Sequence, residues 1–172
     1  MDYFSTIDMD KITNNIWLGN IASAKSIINI KSLGISKILS VLENEAPKYN
    51  REDNLWQYII KVEDSPQQNI IQYFGESIGF IEGDDNILIH CMGGSSRSPT
   101  IVLAYIMWKF RLPFNEAFEF VNSKRPYIIP NDGFKEQLKI FEQLLIENNY
   151  DLTRIDFKNI FWDYDIYKLY LV

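Results

Sequence analysis

At 172 residues, 47% hydrophobic and 23% charged, the chain suits one globular domain with a real core rather than a disordered or fibrous polypeptide. A formal net charge of −6 argues against nucleic-acid binding, which draws its affinity from basic surfaces that neutralise phosphates. One cysteine and one histidine, Cys91 and His90, exclude an internal disulfide and a Cys/His metal cluster, and no apolar run approaches the roughly 18 residues of a membrane span.

The first residues, Met1-Asp2-Tyr3-Phe4, have neither the basic start and apolar stretch of a signal peptide nor a glycine for myristoylation. With a lone cysteine, this predicts a protein of the reducing cytoplasm or nucleus that uses no membrane anchor. Short runs of alternating apolar and polar residues predict strands over 16–18, 35–41, 56–62 and 86–90. Between the first two, Asn20 can cap a helix carrying Ala24, Ile27 and Ile28. After the third, Ser65-Pro66 reads as a helix start, with Ile70, Phe74, Ile78 and Ile81 following at helical spacing. Beyond residue 90 the pattern is helical. A nearly all-apolar helix opens at Ser98-Pro99 and reaches Phe110, and a second covers 113–123. A third opens at Asn131-Asp132 and places Phe134, Leu138, Phe141 and Leu145 on one face. Strands alternating with helices, then a helical C-terminal half, predict an α/β domain: a mostly parallel central sheet flanked by helices. Ligands of such sheets sit at the C-terminal ends of the strands. The apolar strand Ile87-Leu88-Ile89 ends directly at His90-Cys91.

The segment that follows is Cys91-Met92-Gly93-Gly94-Ser95-Ser96-Arg97-Ser98-Pro99. A Gly/Ser-rich loop between a strand end and a helix start can curl so that successive amides point inward, forming a nest for a phosphate dianion on a helix N-terminus. Arg97 closes the ring with a planar fork that can hold two phosphate oxygens. Thiols among inward amides, a helix dipole and an arginine can have pKa values of about 3.5–7.5, against about 8.5 when free. Such a thiolate can attack phosphorus. The plainer alternative is a structural cysteine before a Gly/Ser turn, and the combined spacing of Cys, Arg and Ser after an apolar strand argues for the chemistry.

His90 to Ser98 resembles the phosphate-binding loop of the cysteine phosphatases, and the resemblance spreads along the chain. Residues 12–20, Ile-Thr-Asn-Asn-Ile-Trp-Leu-Gly-Asn, resemble the opening strand of the dual-specificity phosphatases. Residues 33–39 resemble their next helix-to-strand passage, and Pro130-Asn131-Asp132-Gly133-Phe134 with Gln137-Leu138 resembles their last core helix. The resemblance covers about 12–145. It implies the cysteine phosphatase fold, no cofactor and no metal, Cys91 as nucleophile, and residues 92–96 with Arg97 as the phosphate cradle. It further implies a phosphorylated protein as substrate, hydrolysed at phosphotyrosine and at phosphoserine or phosphothreonine through a phosphocysteine intermediate.

The leaving oxygen needs a proton and the attacking water needs a base. His90 precedes the nucleophile on an extended segment, so its side chain points to the opposite face; in the family that histidine holds the loop. Asp64 matches the family's general acid, with Glu63 second, and capping the Ser65-Pro66 helix is the other reading of Asp64. Ser98 either donates to the departing sulfur or caps the helix. Asn131 either braces the loop or caps the Asp132 helix. Arg125 either touches a second phosphate or acidic substrate residue, or stands exposed in solvent.

The loop carries no charged residue at 92–96, which favours phosphoprotein over phosphoinositide, and the acidic chain disfavours an RNA 5′-phosphate. A non-catalytic phosphoprotein-binding module is the reading from another class, and the intact Cys91, Arg97 and Asp64 speak against it. The catalytic domain is expected over 1–147. The remainder, 148–172, carries Phe157, Phe161, Trp162, Tyr164, Tyr167 and Tyr170 among acidic residues. So much aromatic surface must cover either the chain's own domain or a partner, including a second copy.

Overall fold

In the computed structural model, which describes residues 6–169, five strands form one sheet. Met1-Asp2-Tyr3-Phe4 and Tyr170 lie outside the described residues. In chain order the strands are β1 (Met9–Lys11), β2 (Ile16–Gly19), β3 (Ile35–Leu42), β4 (Trp56–Lys61) and β5 (Asn86–His90), and in space they run β1-β2-β5-β3-β4. All neighbours pair in parallel except β1 with β2. The expected mostly parallel α/β sheet is therefore present, with β5 at its centre.

The three inner strands β2, β5 and β3 are buried on both faces, and their period of two divides the core. Leu18, Leu39, Val41, Ile87 and Ile89 face one side, while Trp17, Ile38 and Leu88 face the other. The second face is covered by α1 (Ile21–Lys25) and α2 (Ile27–Ser32). The first is covered by α3 (Phe74–Ile81), α4 (Arg97–Phe110), α5 (Phe114–Lys124) and α6 (Asp132–Glu147). Met107, Val121, Phe134, Leu138, Phe141 and Leu145 meet in this larger core. No helix among the described residues is long and apolar enough to cross a membrane.

Three expectations are corrected. Asn20 does cap a helix, accepting from the Ser23 amide at 3.0 Å, but Ser26 breaks that helix after five residues. The restart brings Ile30 inward and leaves Ile28 83% exposed. Ser65-Pro66 opens a turn rather than a helix. A 3-10 turn begins only at Ile71 and leads into α3, because the Gln137 side chain of α6 accepts from the amides of Ile70 and Ile71 at 2.8 and 3.0 Å and caps the segment there. Finally, α4 begins at Arg97, one residue before the expected Ser98-Pro99 start. The structure also adds β1, whose three half-exposed to exposed residues carry no apolar alternation for a pattern reading to detect.

After Asn149 and Tyr150, both with positive φ, the chain reverses over α6. It continues through two 3-10 turns into α7 (Tyr164–Lys168). Ile155 is buried in the main core. Phe157 lies across Gly75, where a Cβ would come within 2.7 Å of the ring. Phe161 remains 76% exposed.

Candidate active site

The loop of residues 91–96 links the C-terminal end of β5 to the first turn of α4, at the centre of the sheet edge. Its carbonyls are drawn outward. The Met92 carbonyl accepts from the Ile21 amide at 3.1 Å and that of Ser95 from the Ile129 amide at 2.6 Å. The Gly94 carbonyl accepts from Arg125 Nε at 2.8 Å. With the oxygens held outside, the amides turn to the interior of the curl. Those of Met92, Gly93, Ser95 and Ser96 meet no acceptor among the described residues. Gly94 makes the curl possible: its φ is +66°, and a Cβ would sit 2.6 Å from the Gly19 carbonyl oxygen.

Cys91 lies at the base, 2% exposed. Its Sγ accepts from the Gly94 amide at 3.2 Å and from Ser98 Oγ at 3.1 Å. Ser98 thus serves the sulfur and is not the helix cap; the cap position belongs to Ser96. His90 is fully buried on the far side. Its Nδ1 is 3.2 Å from the Cys91 carbonyl oxygen, which can only accept, so Nδ1 carries the proton. Nε2 then accepts from Ser40 Oγ at 2.7 Å, and Ser40 Oγ in turn accepts from Gln57 Nε2 at 3.2 Å. Burial lowers the His90 pKa to about 4 against the backbone hydrogen bond, so the ring is neutral and binds structure rather than protons.

Arg97, half-buried, donates from Nη1 to the Val62 carbonyl at the end of β4, a long bond of 3.4 Å. Its Nε is buried with no partner among the described residues. A buried guanidinium N–H without an acceptor is costly, and an oxyanion in the curl would satisfy it. Asp64, exposed just past the same strand, accepts at Oδ1 from Ser96 Oγ at 2.7 Å and from Asn131 Nδ2 at 2.9 Å. No helix follows it, so the capping alternative falls away. Of the two duties expected of Asn131, its side chain shows the cap, Oδ1 accepting from the Phe134 amide at 3.0 Å, while its contact with the loop is its backbone amide, which donates to Ser96 Oγ at 3.0 Å. Glu63 is exposed and contributes only its backbone amide, to Gln68 Oε1 at 3.0 Å. Among the described residues no cluster of His, Cys, Asp or Glu is arranged to hold a metal ion.

Arg125 corrects both of its expected readings, since it neither reaches the mouth nor stands in solvent. Its side chain is fully buried behind the loop. Nη1 and Nη2 donate to Asp8 at 3.0 and 2.8 Å, Nη1 also to Asp10 at 2.7 Å, and Nε to Gly94. The guanidinium lies over the Tyr127 ring at 4.6 Å. Burial works against its charge, but hydrogen bonds to Asp8 and Asp10 outweigh that cost and hold its pKa above the ordinary value. The sequence reading missed this ion group and the Ser40–Gln57 relay. The one available signal was Asp8-x-Asp10, two carboxylates two residues apart, one just before and one within a strand too short to recognise.

Residues 16–144 match the family described as dual specificity phosphatase, catalytic domain. Dual specificity protein phosphatase 1B of Arabidopsis thaliana is 35% identical over 145 residues, 82% of this chain and 86% of that protein. Dual specificity protein phosphatase MPK-4 of Drosophila melanogaster is 32% identical over 143 residues, 80% of this chain but 37% of that protein, so the chain spans only about a third of some curated relatives. The crystal structure of DUSP15 superposes with a TM-score of 0.76 at 30% identity, covering 90% of this chain and 97% of that one.

Proposed function

The chain belongs to the dual-specificity phosphatase family, and on that premise we propose that it hydrolyses phosphotyrosine, phosphoserine and phosphothreonine in proteins through a phosphocysteine on Cys91. The observation that carries this reading is the curl itself. Outward carbonyls, inward amides and the unpartnered Arg97 Nε surround one sulfur that already accepts two hydrogen bonds. Such a cradle fits a tetrahedral dianion held by three oxygens, with phosphorus above Sγ.

In the first step the Cys91 thiolate forms the S–P bond as the P–O bond to the substrate breaks. Asp64 gives its proton to the departing oxygen. The amides of residues 92–96 and the Arg97 fork take up charge on the equatorial oxygens. In the second step Asp64, now a carboxylate, accepts a proton from water while water oxygen attacks phosphorus. The S–P bond breaks, and sulfur leaves as a thiolate stabilised by Ser98 Oγ–H and the Gly94 N–H. Asp64 suits both tasks because it is exposed to substrate and water yet held at Oδ1 by Ser96 and Asn131. His90 takes no part in proton transfer, being buried and neutral.

The test is rapid quenching of turnover on phosphotyrosine and phosphothreonine peptides, followed by mass analysis of the peptide containing Cys91. A phosphoryl group on that peptide from both substrates, and its loss with all activity in Cys91→Ser, is the expected result. Residual turnover in Cys91→Ser would remove the covalent mechanism. Turnover confined to an inositol phosphate headgroup or a triphosphorylated RNA end would replace the phosphoprotein substrate.

A further inference from the structure

The turn that follows Asp64 is held from two sides. From within the domain, Gln137 Nε2 donates to the Gln68 carbonyl at 2.9 Å. Gly133 of α6 sits so close that a Cβ there would collide with the Pro66 backbone. From outside, the C-terminal segment supplies four hydrogen bonds to three residues of the same turn. Trp162 Nε1 donates to the Pro66 carbonyl at 2.9 Å, and Asn69 Nδ2 donates to the Ile160 carbonyl at 2.9 Å. The Tyr164 amide donates to Gln67 Oε1 at 3.1 Å, while Gln67 Nε2 donates to Asp165 at 2.7 Å.

The segment is itself anchored. Trp162 packs against Tyr164 and Tyr167, with ring centroids 6.2 and 5.4 Å away, and Tyr167 OH donates to Glu136 of α6 at 2.7 Å. Asp163 accepts from the amides of Asp165 and Ile166 and closes the first turn of α7. Residues 63–69 have no strand or helix ladder of their own. Within the loop the amides of Glu63 and Gln68 donate to Gln68 Oε1 and the Ser65 carbonyl, both at 3.0 Å, and the bonds from outside tie this turn to the rest of the fold; an irregular loop without them samples many arrangements.

We infer that residues 160–165 are a positioning strap for Asp64. By fixing Pro66, Gln67 and Asn69, they keep the carboxylate two residues upstream against Ser96 and Asn131, above the phosphate cradle. The strap lies beyond residues 16–144, the span that matches the catalytic-domain family. Trp162, Gln67 and Asp165 are positioning residues: they touch neither the sulfur nor the cradle, and they act through the Asp64 loop. The inference rests on Asp64 being the proton donor.

The experiment is a double-mutant cycle between Trp162→Ala and Asp64→Asn. It is read on a phosphotyrosine peptide, whose leaving oxygen needs a proton, and on an aryl phosphate with an acidic leaving group, which does not. In the parent, Trp162→Ala lowers kcat/KM on the peptide, which reports the first step alone, about ten-fold, a part of the roughly hundred-fold that 1 Å of misplacement can cost. It leaves kcat/KM on the aryl phosphate near its parent value. In the Asp64→Asn background it costs nothing further on either substrate. Gln67→Ala removes two of the four bonds without disturbing the tail aromatics and gives the same pattern. Equal losses on both substrates, or a full additional loss in Asp64→Asn, would overturn the strap while leaving the acid assignment intact. An Asp64→Asn protein that slows both substrates alike would instead remove the acid assignment, and the strap with it.

Discussion

Under the phosphate loop the polar groups are sealed in pairs, and at its mouth they are left open. Below, His90, Ser40, Ser98 and Arg125 are each fully buried and each hydrogen-bonded, to Ser40, His90, Cys91 and Gly94 among others. Above, Asp64 is exposed, Arg97 keeps a buried Nε without an acceptor, and four loop amides have no partner among the described residues. A buried polar group stripped of its partner costs about 1–3 kcal/mol, so no part of the underside can shift without a penalty. That rigidity fixes the sulfur. The open groups at the mouth are the ones a phosphate and a proton can engage. Substitutions below should therefore cost stability and activity together, and substitutions above should cost activity alone.

The strongest way to break this contrast is to set Gly94→Ala beside Asp64→Asn. Alanine at 94 must adopt φ near +66° with its Cβ against the Gly19 carbonyl and the Arg125 guanidinium. Left-handed strain of about 1–2 kcal/mol adds to that collision, for a loss of at least about 3 kcal/mol and some 10 °C in Tm. The displaced Gly94 amide also leaves Sγ, so turnover falls with stability. Asp64→Asn keeps the Tm of the parent and loses about 100-fold or more on phosphotyrosine peptides. Parallel losses in both variants would mean that mouth and underside are one structural unit.

A smaller effect sharpens the same comparison. Arg125→Met keeps much of the side-chain volume but strands the Gly94 carbonyl and two partly exposed carboxylates, Asp8 and Asp10. Because both carboxylates can still reach water, the loss should be about 2–3 kcal/mol, below that for a fully buried pair. Denaturant unfolding measures it. A stability unchanged from the parent would show that β1 and the loop do not depend on this ion group.

These two regions differ in legibility for the same physical reason that they differ in design. That Cys91, Arg97 and Ser98 gather at one place was readable because one continuous stretch, strand-end to helix-start, carries all three. Among the core strands, β5 was readable as the apolar run Ile87-Leu88-Ile89, buried on both faces. Asp64 was placed by resemblance to a family and not by spacing, since its partners Ser96 and Asn131 are 32 and 67 residues away. Arg125 was misjudged because an arginine followed by proline gives no hint of burial. Its carboxylates lie more than 100 residues back, Asp10 on a strand of three residues and Asp8 just before it. The late start of α3 was equally hidden, its cap being a glutamine from another helix. Local chemistry is written locally; positioning is written in the contacts between distant segments.

The least of the expected effects tests the underside through pH. His90 has its native pKa lowered from 6.5 to about 4 by burial. Between those values the unfolded chain takes up a proton that the folded chain refuses, so acid favours unfolding. The contribution of His90 is complete above pH 6.5, is lost as the pH drops below it, and changes no further below about pH 4. At pH 5 the loss relative to pH 7 should be about 2 kcal/mol. His90 is the only histidine, so no other imidazole titrates in this window. Replacing it by asparagine should lower stability at pH 7, through lost bonds to Ser40 and the Cys91 carbonyl, and flatten the profile from pH 7 to 5. A parent protein equally stable at both pH values would mean that the ring can be protonated in place. The dry, sealed underside would then have to admit either water or a counter-charge beside Ser40.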